Sequence, residues 1–283
     1  MKPFLLVAIM LSTFTLIAQR PPLGIAADFD KDSLVTAAGY KYLVSSIGKY
    51  ISPRNVSDKQ FKENLKAAKK LKVKLLAFNL FFHGDQKLVG PMVDEKALMD
   101  YTKAIFARCK AIGVKMIVWG SGGARRVPEG FDQAKATEQF TSLAGSLAVE
   151  AAKYNITIVI ESLNSSETNF LNTLEEVYEV VKKVDHPNLK MNADFYHMMR
   201  ENESPDIIIK AAKYIAQCEI AEKEKRTPPG TIGDDFRPYL KALKDIKYKG
   251  AIVLECNFQD LTVQAKPGYD ALQKQMDDVW GKK

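Results

Sequence analysis

Four acidic residues stand where short apolar runs end. The run 156–160 leads into Glu161, the run 189–193 into Asp194 and the run 252–254 into Glu255, while Cys218-Glu219-Ile220-Ala221-Glu222 holds two acids in one run. Successive separations are 33 residues (161 to 194), 25 (194 to 219) and 36 (219 to 255). Each is close to one strand-plus-helix unit, so the acids are in phase rather than scattered. Any one of them alone reads equally well as a solvated strand end. Four carboxylates brought to one place repel strongly unless a cation holds them together. Divalent metal binding is the chemistry that this pattern suggests.

The elements that must position these residues alternate along the chain. Apolar runs at 23–27, 42–47, 73–81, 114–119, 156–160, 189–193, 217–221 and 251–254 read as strands. Between them, helical periodicity covers 33–38, 59–71, 94–112, 134–154, 174–184, 204–214, 234–244 and 269–280. Ser57 and Asp58 can open the second helix, Asn172 and Thr173 the fifth, and Gly113 stops the third. Eight such units, at about 33 residues each, predict a single (β/α)₈ TIM barrel of parallel strands. An open doubly wound sheet would call for a GxGxxG fingerprint after its first strand, and there is none. In a barrel, acids at the carboxyl ends of neighbouring strands converge on the catalytic face.

The motifs themselves carry a resemblance. Glu161-Ser-Leu-Asn164-Ser-Ser-Glu167 through Asn172-Thr173 is similar to the fifth-strand motif of the xylose-isomerase-like sugar isomerase/epimerase superfamily. Asn192-Ala-Asp194-Phe-Tyr-His197 resembles its sixth-strand motif, and Glu219-Ile-Ala-Glu222-Lys-Glu-Lys-Arg226-Thr-Pro-Pro-Gly230 its seventh. Tyr248-Lys-Gly250 through Glu255 matches the closing strand, and Gly120-Ser-Gly-Gly-Ala-Arg125-Arg-Val-Pro128 the fourth-strand loop.

Residue by residue, the resemblance implies one divalent metal (Mn²⁺, Mg²⁺, Co²⁺ or Zn²⁺) with Glu161, Asp194 and Glu255 as ligands. The seventh-strand ligand of the family is commonly His, and Glu219 stands at that position. An all-carboxylate set is harder and shifts preference from Zn²⁺ toward Mg²⁺ or Mn²⁺. Glu161 and Glu255 also match the pair that moves protons, one on each face of the substrate carbon. Glu167, His197 and Arg226 match substrate-contacting positions, and Ser165 replaces an Arg often found after Asn164. Lys223, Lys225 and Arg226 are placed to offset part of the charge. The implied reaction is removal of a proton next to a sugar carbonyl, through an ene-diolate. It serves a sugar isomerase or epimerase or, as the alternative that export favours, a lyase that cleaves 3-keto-glycosides by expelling the C1 leaving group. A sugar-binding relic without metal is the non-enzymatic alternative.

His83 follows the third strand and can reach the same face, or serve as an ordinary loop residue. Gly120 to Gly123 could cradle a phosphate, although glycine-rich loops after barrel strands are common. Three cysteines (Cys109, Cys218, Cys256) do not make a disulfide framework, and the two beside site acids alternate to the helix side. The net charge of +7 comes from lysines spread over helices, with no motif for nucleic acid. With three His in the chain, a histidine-rich three-metal DNA-repair site is excluded. Lys2 followed by an apolar run to Ala18 reads as a secretory signal peptide, residues 1–18, ahead of a barrel at 19–283. The run is shorter than the ~20 residues that a membrane span needs. The expectations are cleavage, a periplasmic or secreted protein with no stable membrane insertion, and a small-molecule carbohydrate substrate. Homo-oligomerisation stays open.

Overall fold

The computed structural model describes residues 20–282; the proposed signal peptide lies outside them. Its eight strands are β1 (Leu23–Ala26), β2 (Tyr42–Ser46), β3 (Lys74–Asn79), β4 (Met116–Trp119), β5 (Thr157–Glu161), β6 (Leu189–Asp194), β7 (Ile215–Ile220) and β8 (Ile252–Leu254). Each pairs in parallel with the next, and β1 also pairs with β8, so the sheet closes into a barrel.

Alternation along each strand builds two layers of core. Val44, Ala77, Val118, Val159, Ala251 and Val253 fill the barrel interior. The intervening residues, such as Ile158, Ile160, Met191, Ile220 and Leu254, pack outward under the helices. Each fully buried Val is worth about 1.5–3 kcal/mol. The long helices start on side-chain caps: Ser57 accepts from the Gln60 N–H, Asp94 from Ala97 and Asp132 from Lys135. Thr173 and Glu176 form a reciprocal capping box ahead of Leu174–Val184.

Three helices depart from the periodicity reading. The one expected over 204–214 shrinks to Asp206–Lys210, because the chain straightens early and the Tyr214 carbonyl accepts from the Met191 N–H of β6. The one expected from 234 begins at Arg237, since Asp234 is used to accept the Lys223 N–H instead. The last helix starts at Leu261, eight residues before Tyr269, capped by Asp260 and continuing through Pro267. Short helices after β2 (Ile47–Tyr50), β4 (Gly122–Arg125) and β6 (Phe195–Arg200) are too brief to show periodicity.

Candidate active site

The four acids meet. Glu161 closes β5, Asp194 closes β6, Glu219 is the penultimate residue of β7 and Glu255 follows β8 directly. One carboxylate oxygen from each lies within 4.8 Å of the others. Strand parity is the cause: Val159 and Glu161, Asn192 and Asp194, Gln217 and Glu219, Val253 and Glu255 face inward, two apart on their strands. Ile160, Ala193, Cys218 and Leu254, between them, join the outer core. Gly120, at the end of β4, leaves room for the cluster, because a Cβ there would stand 2.5 Å from Glu161 Oε2. That glycine makes space for a carboxylate, which accounts for it without a phosphate.

The surroundings give each acid a different setting. Asn79, at the end of β3, donates to Glu255 Oε1 at 2.8 Å, and Arg226 pairs with Glu255 Oε2. Arg226 Nη2 lies 3.5 Å from Asp194 Oδ2 and Nη1 3.6 Å from Glu167 Oε1. The guanidinium also stacks over the Tyr196 ring, 4.7 Å from its centroid. Asn192 donates to one oxygen of Glu219. The other oxygen of Glu219, and Glu161 Oε1, are buried without a hydrogen-bond partner. Unpartnered buried carboxylate oxygens are costly. Two of them in a nest of four acids, with only oxygen donors, fit a hard divalent cation. Burial first, and then the neighbouring acids, push Glu161 and Glu219 well above the ordinary glutamate range. Burial works to lower Arg226, but Glu255, Asp194, Glu161 and Glu167 overcome it and raise the guanidinium.

His197 is fully buried, on the short helix capped by Asp194. Its Nδ1 accepts the Asn164 backbone N–H at 3.0 Å, and Nε2 lies 3.5 Å from Glu161 Oε1 and 3.8 Å from Asp194 Oδ2. Burial lowers its pKa, which favours the neutral ring. Glu167 accepts from Asn164 Nδ2 at 3.2 Å, and so joins Arg226 at the rim.

The loop that carries Arg226 is organised by Glu222, the second acid of the β7 run. Glu222 stays out of the carboxylate cluster. It accepts the Thr227 hydroxyl and the N–H groups of Gly230, Ile232 and Gly233 at 2.7–2.8 Å. Of the three cations after it, Arg226 alone pairs with the cluster among the described residues; Lys223 donates to Asn202. Ser165 donates through its N–H and hydroxyl to Glu201 and closes the β5 loop.

His83 is not brought to the carboxylates. Its contacts are Ser52 at 3.2 Å, the Tyr101 ring and, through its backbone, Gln86. Asn79 was not legible as a site residue, and Asn192 and Arg125 only as parts of motifs. Asn79 and Asn192 sit on the inward parity of their strands, the one local signal that marks them. Arg125 is wholly buried and donates Nη1 to the Glu161 carbonyl at 2.7 Å, with burial lowering its pKa to about 10. The free thiols Cys109 and Cys218 are buried and Cys256 is half-buried.

A family model described as xylose isomerase-like TIM barrel matches residues 34–278. The L-ribulose 3-epimerase of Methylomonas sp. is 36% identical over 110 residues, 38% of each chain. The D-psicose 3-epimerase of Agrobacterium fabrum is 28% identical over 186 residues, 61% of this chain and 62% of that one. The chain thus spans less than two thirds of the length of these curated relatives. Among solved structures, a 3-keto-D-glucoside 4-epimerase from E. coli superposes with a TM-score of 0.73 at 18% identity, over 90% of this chain and 98% of that one. At that identity the likeness is one of fold.

Proposed function

The chain belongs to the xylose isomerase-like TIM-barrel family, and from that premise we propose that it is a divalent-metal-dependent epimerase or isomerase of a keto-sugar. The observation that carries this reading is the meeting of Glu161, Asp194, Glu219 and Glu255, with buried oxygens of Glu161 and Glu219 left without donors. The names of the relatives, ketose 3-epimerases, support the substrate class.

In this reading the four acids hold the metal, which when bound polarises the sugar carbonyl and so acidifies the neighbouring C–H. Glu161 and Glu255 are the bases. They come from β5 and β8, so they reach the substrate carbon from different sides. One takes the proton from that carbon, and the other returns a proton to the opposite face. Return to the neighbouring carbon would give isomerisation instead. Asn79 orients Glu255 through Oε1. His197 presents its Nε2 proton toward Glu161 and Asp194, where a sugar oxygen can accept it. Arg226 and Glu167 line the rim and can bind hydroxyls. We include a periplasmic or secreted location, on the strength of the apolar run before Ala18. None of the helices among the described residues is long and apolar enough to cross a membrane.

Export favours a second reading on the same proton abstraction, a lyase acting on 3-keto-glycosides. One experiment separates the two. The protein is incubated with ketoses and with 3-keto-glycosides in deuterated buffer containing Mn²⁺, and products are followed by NMR. Deuterated epimers or isomers support the lead reading, and release of an aglycone supports the lyase. Neither product, and no solvent exchange, leaves only a sugar-binding protein.

A further inference from the structure

Arg226 touches two of the four acids that the proposed metal needs. Its Nη2 pairs with Glu255 Oε2 and lies 3.5 Å from Asp194 Oδ2. A cation bound by the four-acid nest would draw on the same carboxylates. The rest of Arg226 is held independently of those oxygens. Nε donates to the Glu255 backbone carbonyl at 3.1 Å, and the guanidinium lies against Tyr196. Its backbone is fixed as well. Lys225 and Arg226 are both left-handed, with φ of 59° and 55°, unusual for two successive non-glycine residues. Asn257 holds them there, its N–H on the Arg226 carbonyl at 2.7 Å and its side-chain amide on the Lys225 carbonyl at 3.1 Å. Such a residue can release Nη2 without losing its place. Backbone strain kept at a site in this way is common where the position of a side chain matters.

We propose that Arg226 is an internal counter-ion that competes with the divalent metal for Glu255 and Asp194, so that metal loading frees its Nη groups to face the sugar pocket. The inference rests on the metal-dependent reading above. It adds that this chain's own cation braces two acids of the nest, and that a metal must displace part of it. Arg226 therefore lowers metal affinity while equipping the loaded site for sugar.

The test is Mn²⁺ binding to chelator-treated protein by titration calorimetry, for the parent and for Arg226→Met. Removing a charge-assisted partner of two ligands should tighten Mn²⁺ binding about tenfold. Equal or weaker binding by the variant, with the parent binding normally, overturns the competition and leaves the metal-dependent reading intact. Failure of both proteins to bind Mn²⁺ overturns that reading, and this inference with it. Should Arg226→Met not fold, the parent decides through NMR of the Arg226 side chain, assigned by its change in Arg226→Lys. Faster exchange of the Nη protons on Mg²⁺ addition supports displacement, and unchanged or slower exchange overturns it.

Discussion

The Asn164 backbone N–H meets His197 Nδ1 at 3.0 Å, and this one bond decides which ring nitrogen carries the proton. A backbone N–H can only donate, so Nδ1 accepts and the hydrogen of the neutral ring is on Nε2. A protonated Nε2 aimed at Glu161 and Asp194 is a donor, not a metal ligand. Replacing His197 by Phe should therefore cost turnover, by about 10²-fold for a lost donor at the reacting oxygen, while metal stoichiometry stays that of the parent. Metal analysis of the purified variant checks this. Loss of the metal would show that the ring is a ligand after all.

Gly120 and Glu161 make a second pair whose separation is decisive. A methyl group at 120 would sit 2.5 Å from Glu161 Oε2, so Gly120→Ala forces the carboxylate to move. The φ of Gly120 is not in the left-handed range, so the backbone should accept alanine. The expected result is a folded protein with turnover reduced about 10²-fold, the usual cost of misplacing a catalytic group by about 1 Å. Far-ultraviolet circular dichroism with steady-state kinetics tests it, and parent-like kinetics would mean that Glu161 has slack.

Stability should depend on pH with a particular sign. Glu161 and Glu219 have folded values raised above the ordinary 4.5, by burial first and then by neighbouring acids. A raised acid favours the folded state in its protonated form. Its contribution is complete below pH 4.5 and is lost as pH rises through the raised folded value. In EDTA, Tm should fall across that rise less steeply for Glu219→Gln than for the parent. Mn²⁺ should remove most of the difference, since it binds the ionised form. Thermal unfolding across pH with and without metal measures this; identical slopes for parent and variant in EDTA would contradict it.

Exchanging the seventh-strand acid tests the donor set. Glu219→His brings a nitrogen ligand to the nest, so metal binding should persist and shift toward Zn²⁺ or Co²⁺ relative to Mg²⁺. Competitive loading followed by metal analysis reads the preference. An unchanged preference would place Glu219 outside the coordination set.

Much of this was legible from residues alone, because strand parity and strand ends are local properties. Glu161, Asp194, Glu219 and Glu255 mark the ends of four consecutive strands, and closure of the barrel does the rest. Asn79 was hidden because its strand ends without a charge, and its value lies in a contact with Glu255, 176 residues away. The place of His83 after β3 was legible, but the direction of its ring, toward Ser52 and Tyr101, was not. The last helix was expected only from Tyr269, whereas Asp260 caps it and it runs through Pro267, a residue type that ordinarily interrupts helices. Side-chain direction in loops, and tertiary use of residues such as Asp234, cannot be read from periodicity.

The central claim is that Glu161 and Glu255 move the proton. It is tested most directly by solvent deuterium exchange into a ketose that the Mn²⁺-loaded parent turns over, compared with Glu161→Gln and Glu255→Gln. Either substitution keeps the shape and removes the base, and general acid–base assistance is typically worth ~10²–10⁴-fold. Each folded variant should therefore exchange at least ~100-fold more slowly than the parent. Exchange at the parent rate in both variants would contradict the account.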